Sequence, residues 1–217
     1  MSGLPWDNNS WVVAAEITAR RPSAAVAAAL GATTGTTDTP LVLRDAALLQ
    51  LVMKAIIVPG DKTTDGQLVE AVAVPWFDIV EILKKDPTAA FIIPPRTWEE
   101  IIAGVYKKAG FDEVTLTPRS GDLGRDVIAI KKGVGSVRII DQVKAFGPTH
   151  LVPADDVRAL MGVVIGDRAS KGFLTTTSNF APGIATDRVI QDFIPNRLEL
   201  INGSMLLARL DELARNR

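Results

Sequence analysis

"SGDLGRDVIAIKKGVGSVRIIDQVKA", Ser120 to Ala145, reads as a glycine-rich turn, a strand, a second turn and another strand. Gly121 and Gly124 permit a tight turn that sets Asp126 at the mouth of the otherwise apolar strand "DVIAI". Successive strand side chains point to opposite faces, so Gln142 and Lys144 share a face, with roughly 6.6 Å between their Cα atoms, while Asp141 and Val143 take the other. Asp141 cannot replace Gln142 on that face unless the strand bulges.

A charge at the start of "DVIAI" is costly to bury unless something pairs with it, and Lys144 or a metal ion would serve. Magnesium takes oxygen ligands and keeps several waters, so one or two carboxylates plus substrate phosphate are enough. Asp126, the side-chain oxygen of Gln142 and the backbone carbonyl of Val143 supply such a partial cage. An amide oxygen is neutral, so this site holds an ion more weakly than a pair of carboxylates does. A lysine ammonium stays charged at neutral pH unless strongly desolvated, so Lys144 reads as a water-orienting, charge-stabilising cation. On spacing alone, the more ordinary reading is a structural ion pair between Asp126 and Lys144 across the hairpin, since both residue types are common at strand ends.

Working outward, "TWEEIIAGVYKKAGF" predicts a helix with Trp98, Ile101, Ile102, Val105 and Ala109 on one stripe and Gly110 as its stop. Thr97 and Glu100 have the spacing of a capping box. That gives Glu100 a local role and leaves Glu99 free to hold a metal-bound water or a second ion. "EVTLTP" reads as a strand, "PADDVRALMGVVI" as a helix capped by Asp155 or Asp156, "GFLTTTSNF" as a strand, and "RLELINGSMLLARLDELAR" as a strand and a terminal helix. The order is helix, strands, helix, strands, helix: an α/β fold with a sheet flanked by helices.

The first 40 residues are hard to read, with a Gly/Thr-rich break at 31–40 taken as a loop. "LRDAALLQLVMKAIIV" and "QLVEAVAVPWFDIVEILKKDP" both read as helical, the second broken or kinked at Pro75, with "PGDKTTDG" between them. The expectation is a mostly helical N-terminal region over 1–90 followed by a second domain over 91–217. The four tryptophans, Trp6, Trp11, Trp76 and Trp98, are expected to pack between the two rather than to stack on bases.

The 217 residues carry 24 Lys+Arg and 25 Asp+Glu, a net charge of -1, with no overall basic signature for binding phosphate nonspecifically. The part from Ile93 onward holds 17 basic against 15 acidic residues, too slight an excess to imply nucleic acid. Zero cysteines exclude disulfides, thiolate metal sites and a cysteine nucleophile. One histidine, His150, builds no zinc site and is expected on a surface loop. No apolar run approaches the roughly 20 residues that span a bilayer, so no membrane role is expected and a cytoplasmic location is the simplest.

The long pattern "TWEEIIAGVYKKAGFDEVTLTPRSGDLGRDVIAIKK", "IIDQVKAF", "VRALMGVV" and "GFLTTTSNF" resembles the Mrr-type restriction endonucleases of the PD-(D/E)xK nuclease superfamily. The resemblance runs from about Ile92 to Asn202, and glutamine commonly stands in that family where other members have Asp or Glu. It implies a restriction-endonuclease-like mixed sheet flanked by helices, with Asp126, Gln142 and Lys144 as catalytic residues and Glu99 as the acidic residue of the first helix. It also implies magnesium-dependent cleavage of DNA, with manganese as a substitute, in restriction of foreign DNA. Cutting both strands calls for two sites, so a homodimer is expected, with room for an activating partner protein. The rival reading is a noncatalytic nucleic-acid-binding or assembly module with the same fold; a third keeps the chemistry and moves it to RNA or branched DNA. In the "TTTS" run, Thr175 to Ser178 offer hydroxyls to phosphate, although β-branched threonines also suit a strand.

Overall fold

A computed structural model describes residues 41–118 and 124–215. The expectations for 1–40, including Trp6, Trp11 and the break at 31–40, lie outside the described residues. The elements run α1 (Leu41–Val52), β1 (Ile57–Lys62), β2 (Gln67–Val72), α2 (Val74–Lys85), a 3-10 turn (Pro87–Phe91), α3 (Pro95–Lys108), β3 (Glu113–Leu116), β4 (Val127–Lys131) and β5 (Val137–Lys144). There follow α4 (Ala154–Gly166), β6 (Lys171–Thr176), a second 3-10 turn (Pro182–Thr186), the short α5 (Arg188–Gln191), β7 (Leu198–Ile201) and α6 (Gly203–Arg215). The strands form one sheet in the order β1-β2-β3-β4-β5-β6-β7. Pairing is antiparallel from β1 to β5 and parallel from β5 to β7, which makes the sheet mixed and flanked by helices.

Residues 57–58 and 67–72, read as helical, are strands, and so is the first part of the break between them. The segment 57–72 is a hairpin, closed by Thr63 N–H to the Gly66 carbonyl at 2.7 Å and the reciprocal bond at 3.3 Å, and β2 pairs with β3. Alternation is faint here because β1 buries Ile57 while most of its other positions face outward. Pro59 is tolerated because β1 is an edge strand whose register shifts at that residue. Pro75 does not kink a helix: it occupies the first turn of α2, where its missing N–H costs nothing.

The helix caps also differ. Pro94 precedes α3, with Pro95 in its first turn, so Thr97 and Glu100 form no capping box. Pro153 precedes α4 and places Asp155 and Asp156 in the first turn, where carboxylates complement the helix dipole.

Strand parity sorts the core into two layers. Ile139 on β5, Val127 and Ala129 on β4 and Phe173 on β6 pack with Trp76, Trp98, Ile101, Val105 and Leu210 beneath α2, α3 and α6. Ile140 and Leu174 face the other way and pack with Leu160 and Val164 of α4. Trp76 and Trp98 are fully buried, as packing rather than stacking predicts, and their indole N–H groups donate to the carbonyls of Ile101 and Ala90, each at 3.0 Å. Gly104 makes the α2–α3 contact: a Cβ there would stand 2.6 Å from Nε1 of Trp76.

Candidate active site

The site forms where β3, β4 and β5 meet. Val127 faces α3, so the preceding Asp126 turns toward the α4 side, the side that also carries Gln142 and Lys144. The Asp126 backbone is pinned from both neighbours: its N–H donates to the Asp141 carbonyl at 3.1 Å, and its carbonyl accepts the Thr117 N–H at 3.0 Å. Its Oδ2 accepts the Val143 N–H at 2.6 Å, placing the carboxylate directly against β5.

Gln142 lies beside it. Its Oε1 is buried and has no hydrogen-bond partner among the described residues. On the amide side, a Cβ at Gly124 would come within 3.3 Å of Gln142 Nε2, and Gly124 has φ +79°. Glycine therefore meets two demands there, a left-handed backbone and room for the glutamine amide.

Lys144 Nζ lies 3.6 Å from Asp156 Oδ2, both side chains being about a quarter to a third exposed at 24% and 30%. Lys144 thus meets a carboxylate from α4, a pairing that spacing along the chain gave no means to find. Glu99 is held by Arg96, whose guanidinium donates to Glu99 Oε2 at 2.6 Å and to the Thr117 carbonyl at 2.9 Å. Because Thr117 is bonded in turn to Asp126, Glu99 joins the same end of the sheet through Arg96. The i, i+3 spacing of Arg96 and Glu99 is the signal that could have revealed this pair.

Asp141 lies on the opposite face, as alternation requires. It is buried, and its Oδ2 accepts from the hydroxyls of Tyr106 at 2.8 Å and Thr175 at 3.1 Å. Burial lifts its pKa to about 7 despite those two donors. Burial, with Asp141 next to it, pushes the Tyr106 hydroxyl well above the usual tyrosine range, so it remains a donor.

Arg125 pairs with Asp167 at 2.9 Å, and Arg138 joins the same carboxylate at 2.8 Å. The "TTTS" run is buried, and its hydroxyls are engaged with protein groups, which removes the reading in which they bind phosphate. His150 is exposed in the loop after β5, stacked on Phe146 with ring centroids 4.1 Å apart.

Among the described residues no three His, Cys, Asp or Glu side chains gather into a metal cluster. An ion at this site would draw on amide and main-chain oxygens as well as Asp126. Gln142 fits that demand, because a buried amide oxygen without a donor has room for a cation.

Residues 92–210, more than half of the chain, match the family model Mrr_cat, restriction endonuclease. The chain belongs to the Mrr_cat restriction endonuclease family. The matched segment contains Glu99, Asp126, Gln142 and Lys144, so Gln142 stands within a family domain rather than in an isolated hairpin. No curated protein matches the chain.

Two solved structures are similar to this Mrr_cat chain. One is "MspJI Restriction Endonuclease in Complex with 27-mer Oligonucleotide", 19% identical over 65% of this chain and 34% of that one, with a TM-score of 0.39. The other is "DNA modification-dependent restriction endonuclease AspBHI", 15% identical over 86% of this chain and 44% of that one, also with a TM-score of 0.39. The Mrr_cat chain thus spans less than half the length of either.

Proposed function

We propose that this chain is a magnesium-dependent DNA endonuclease that hydrolyses phosphodiester bonds in restriction of foreign DNA, with manganese able to substitute. The observation that carries the reading is the meeting of the Asp126 carboxylate with β5 at Val143, beside a buried Gln142 amide oxygen that has no partner among the described residues. Asp126, Gln142 and the backbone carbonyl of Val143 would hold the ion. When bound, magnesium neutralises phosphate charge and lowers the pKa of water.

The chain's own residues set up the rest. The bond from Val143 N–H holds the Asp126 carboxylate against β5. Lys144 presents a cation on the same face and stabilises the charge that gathers on the phosphate as water adds and the P–O bond to the leaving oxygen breaks. Asp156 keeps that ammonium over the site until a phosphate competes for it. Glu99, oriented by Arg96, would bind a water of the ion from the α3 side.

The region 1–90 serves recognition or dimerisation in this reading, and cutting both strands requires a homodimer or an activating partner protein. No helix among the described residues is long and apolar enough to cross a membrane, and a cytoplasmic location is proposed with the nuclease role.

The test is cleavage of supercoiled plasmid, methylated and unmethylated, with magnesium, manganese or EDTA, by wild type, Asp126→Ala and Lys144→Ala. Metal-dependent nicking or linearisation, lost in both folded variants, is expected. Variants that cut as fast as wild type would overturn the residue assignment. DNA binding without metal-dependent product would favour a noncatalytic binding module, and cleavage confined to RNA or branched DNA would move the substrate.

A further inference from the structure

The "TTTS" run has no place in the metal chemistry, yet its hydroxyls follow a pattern. Parallel pairing of β5 with β6 ends at Lys144 opposite Thr176. There the side chains take over from the ladder. Thr176 Oγ1 donates to the Lys144 carbonyl at 2.8 Å, Thr177 Oγ1 to the Phe146 carbonyl at 2.7 Å, and Ser178 Oγ reaches the Pro148 carbonyl at 3.5 Å. Three consecutive hydroxyls thus engage the carbonyls of alternate residues from the last residue of β5 onward.

The Lys144 carbonyl also accepts the N–H groups of Phe146 at 3.0 Å and Thr177 at 3.3 Å. Thr176 Oγ1 in turn accepts the Ser178 N–H at 3.1 Å, so its hydroxyl is oriented by a donor and an acceptor together. Farther along, Val152 N–H donates to the Asn179 carbonyl and Ala181 N–H to the Val152 carbonyl, each at 2.9 Å. The segment leaving the strand is therefore fastened to β6 and its extension at both ends. Thr176, Thr177 and Ser178 are all buried, and loss of the Thr176 hydroxyl would take one of three donors from the Lys144 carbonyl.

We propose that Thr176 and Thr177 are positioning residues: they clamp the carbonyls of Lys144 and Phe146 and thereby fix the backbone from which the Lys144 ammonium is presented. The proposal rests on the reading of Lys144 as the active-site cation. Its physical basis is the steep dependence of catalysis on placement, where a displacement of about 1 Å can cost about 100-fold in rate. A flexible lysine held over an ion and a phosphate needs a fixed Cα, and here the strand supplying it ends at the lysine itself.

The test compares Thr176→Val, which keeps the shape and removes the hydroxyl, with Thr176→Ser, which keeps the hydroxyl, in the full chain. Amide hydrogen exchange at Phe146 and Thr177 reads the clamp directly. The valine variant is expected to exchange about tenfold faster there, and the serine variant to stay near wild type. Single-turnover plasmid nicking should fall about 10- to 100-fold in the valine variant at an unchanged half-saturating DNA concentration, with rescue by serine.

Unchanged exchange at both amides overturns the clamp. Faster exchange with an unchanged nicking rate overturns its role in positioning Lys144. A wild type that cuts no substrate defeats the nuclease reading and the positioning role that rests on it, while the exchange measurement still decides whether the hydroxyls hold the strand end.

Discussion

The hydroxyl of Tyr106, on α3, donates to Oδ2 of Asp141, on β5, at 2.8 Å within the buried layer opposite Gln142 and Lys144. This bond ties the helix that carries Glu99 to the strand that carries Gln142 and Lys144. Tyr106→Phe keeps the ring and removes the donor, leaving Thr175 as the hydroxyl on that oxygen. A loss of about 1–3 kcal/mol is expected in urea unfolding. Equal stability of the two proteins would mean that the bond contributes nothing net.

The same carboxyl makes stability depend on pH. An unfolded aspartate titrates near about 3.9, whereas burial holds Asp141 at about 7 in the native state. Between those values the native state keeps a proton that the unfolded state has released, so this group's contribution falls as pH rises from about 4 to about 7 and is constant outside that window. Asp141→Asn removes the titration. Its stability relative to wild type should therefore grow across the window, by up to about 1.4 kcal/mol per pH unit, as read by urea midpoints at several pH values. A constant difference between the two proteins would contradict it.

Gln142→Glu gives the site a second carboxylate beside Asp126. Without metal, two acids share one small space and the variant should melt below wild type. Magnesium or manganese should raise its melting temperature more than that of wild type, because greater ligand charge tightens binding and binding to the folded state alone stabilises it. Calorimetric titration with manganese checks the affinity without any cleavage assay. Weaker manganese binding by the glutamate variant would argue against Gln142 as a ligand.

Gly104→Val tests the packing beneath the site. Its Cβ would fall 2.6 Å from Trp76 Nε1, the atom that donates to the Ile101 carbonyl. Overpacking of this kind typically costs about 1–3 kcal/mol, and the lost indole bond adds to it. Thermal unfolding followed by tryptophan fluorescence should show the decrease. A variant that melts with wild type would mean that α2 and α3 can separate freely at that point.

The sequence by itself determined the elements with strong periodicity. The apolar stripe of α3, the strands β3 to β7 and the terminal helix were readable because burial on one face repeats at the period of the backbone. Parity likewise separated Gln142 and Lys144 from Asp141, since alternation along a strand is a local property. The β1–β2 hairpin was not readable: an edge strand that buries few side chains and contains a proline carries almost no period.

Only the tertiary structure decided the partners. Lys144 meets Asp156 from α4, Tyr106 meets Asp141 thirty-five residues on, and Thr176 and Thr177 close on carbonyls of a strand about thirty residues earlier. Prolines, rather than Thr97, Asp155 or Asp156, stand before the helices, which frees those side chains for other contacts. A side chain's chemistry is fixed by its identity, but its partner depends on which distant backbone the sheet brings alongside, and that follows from packing of the whole core.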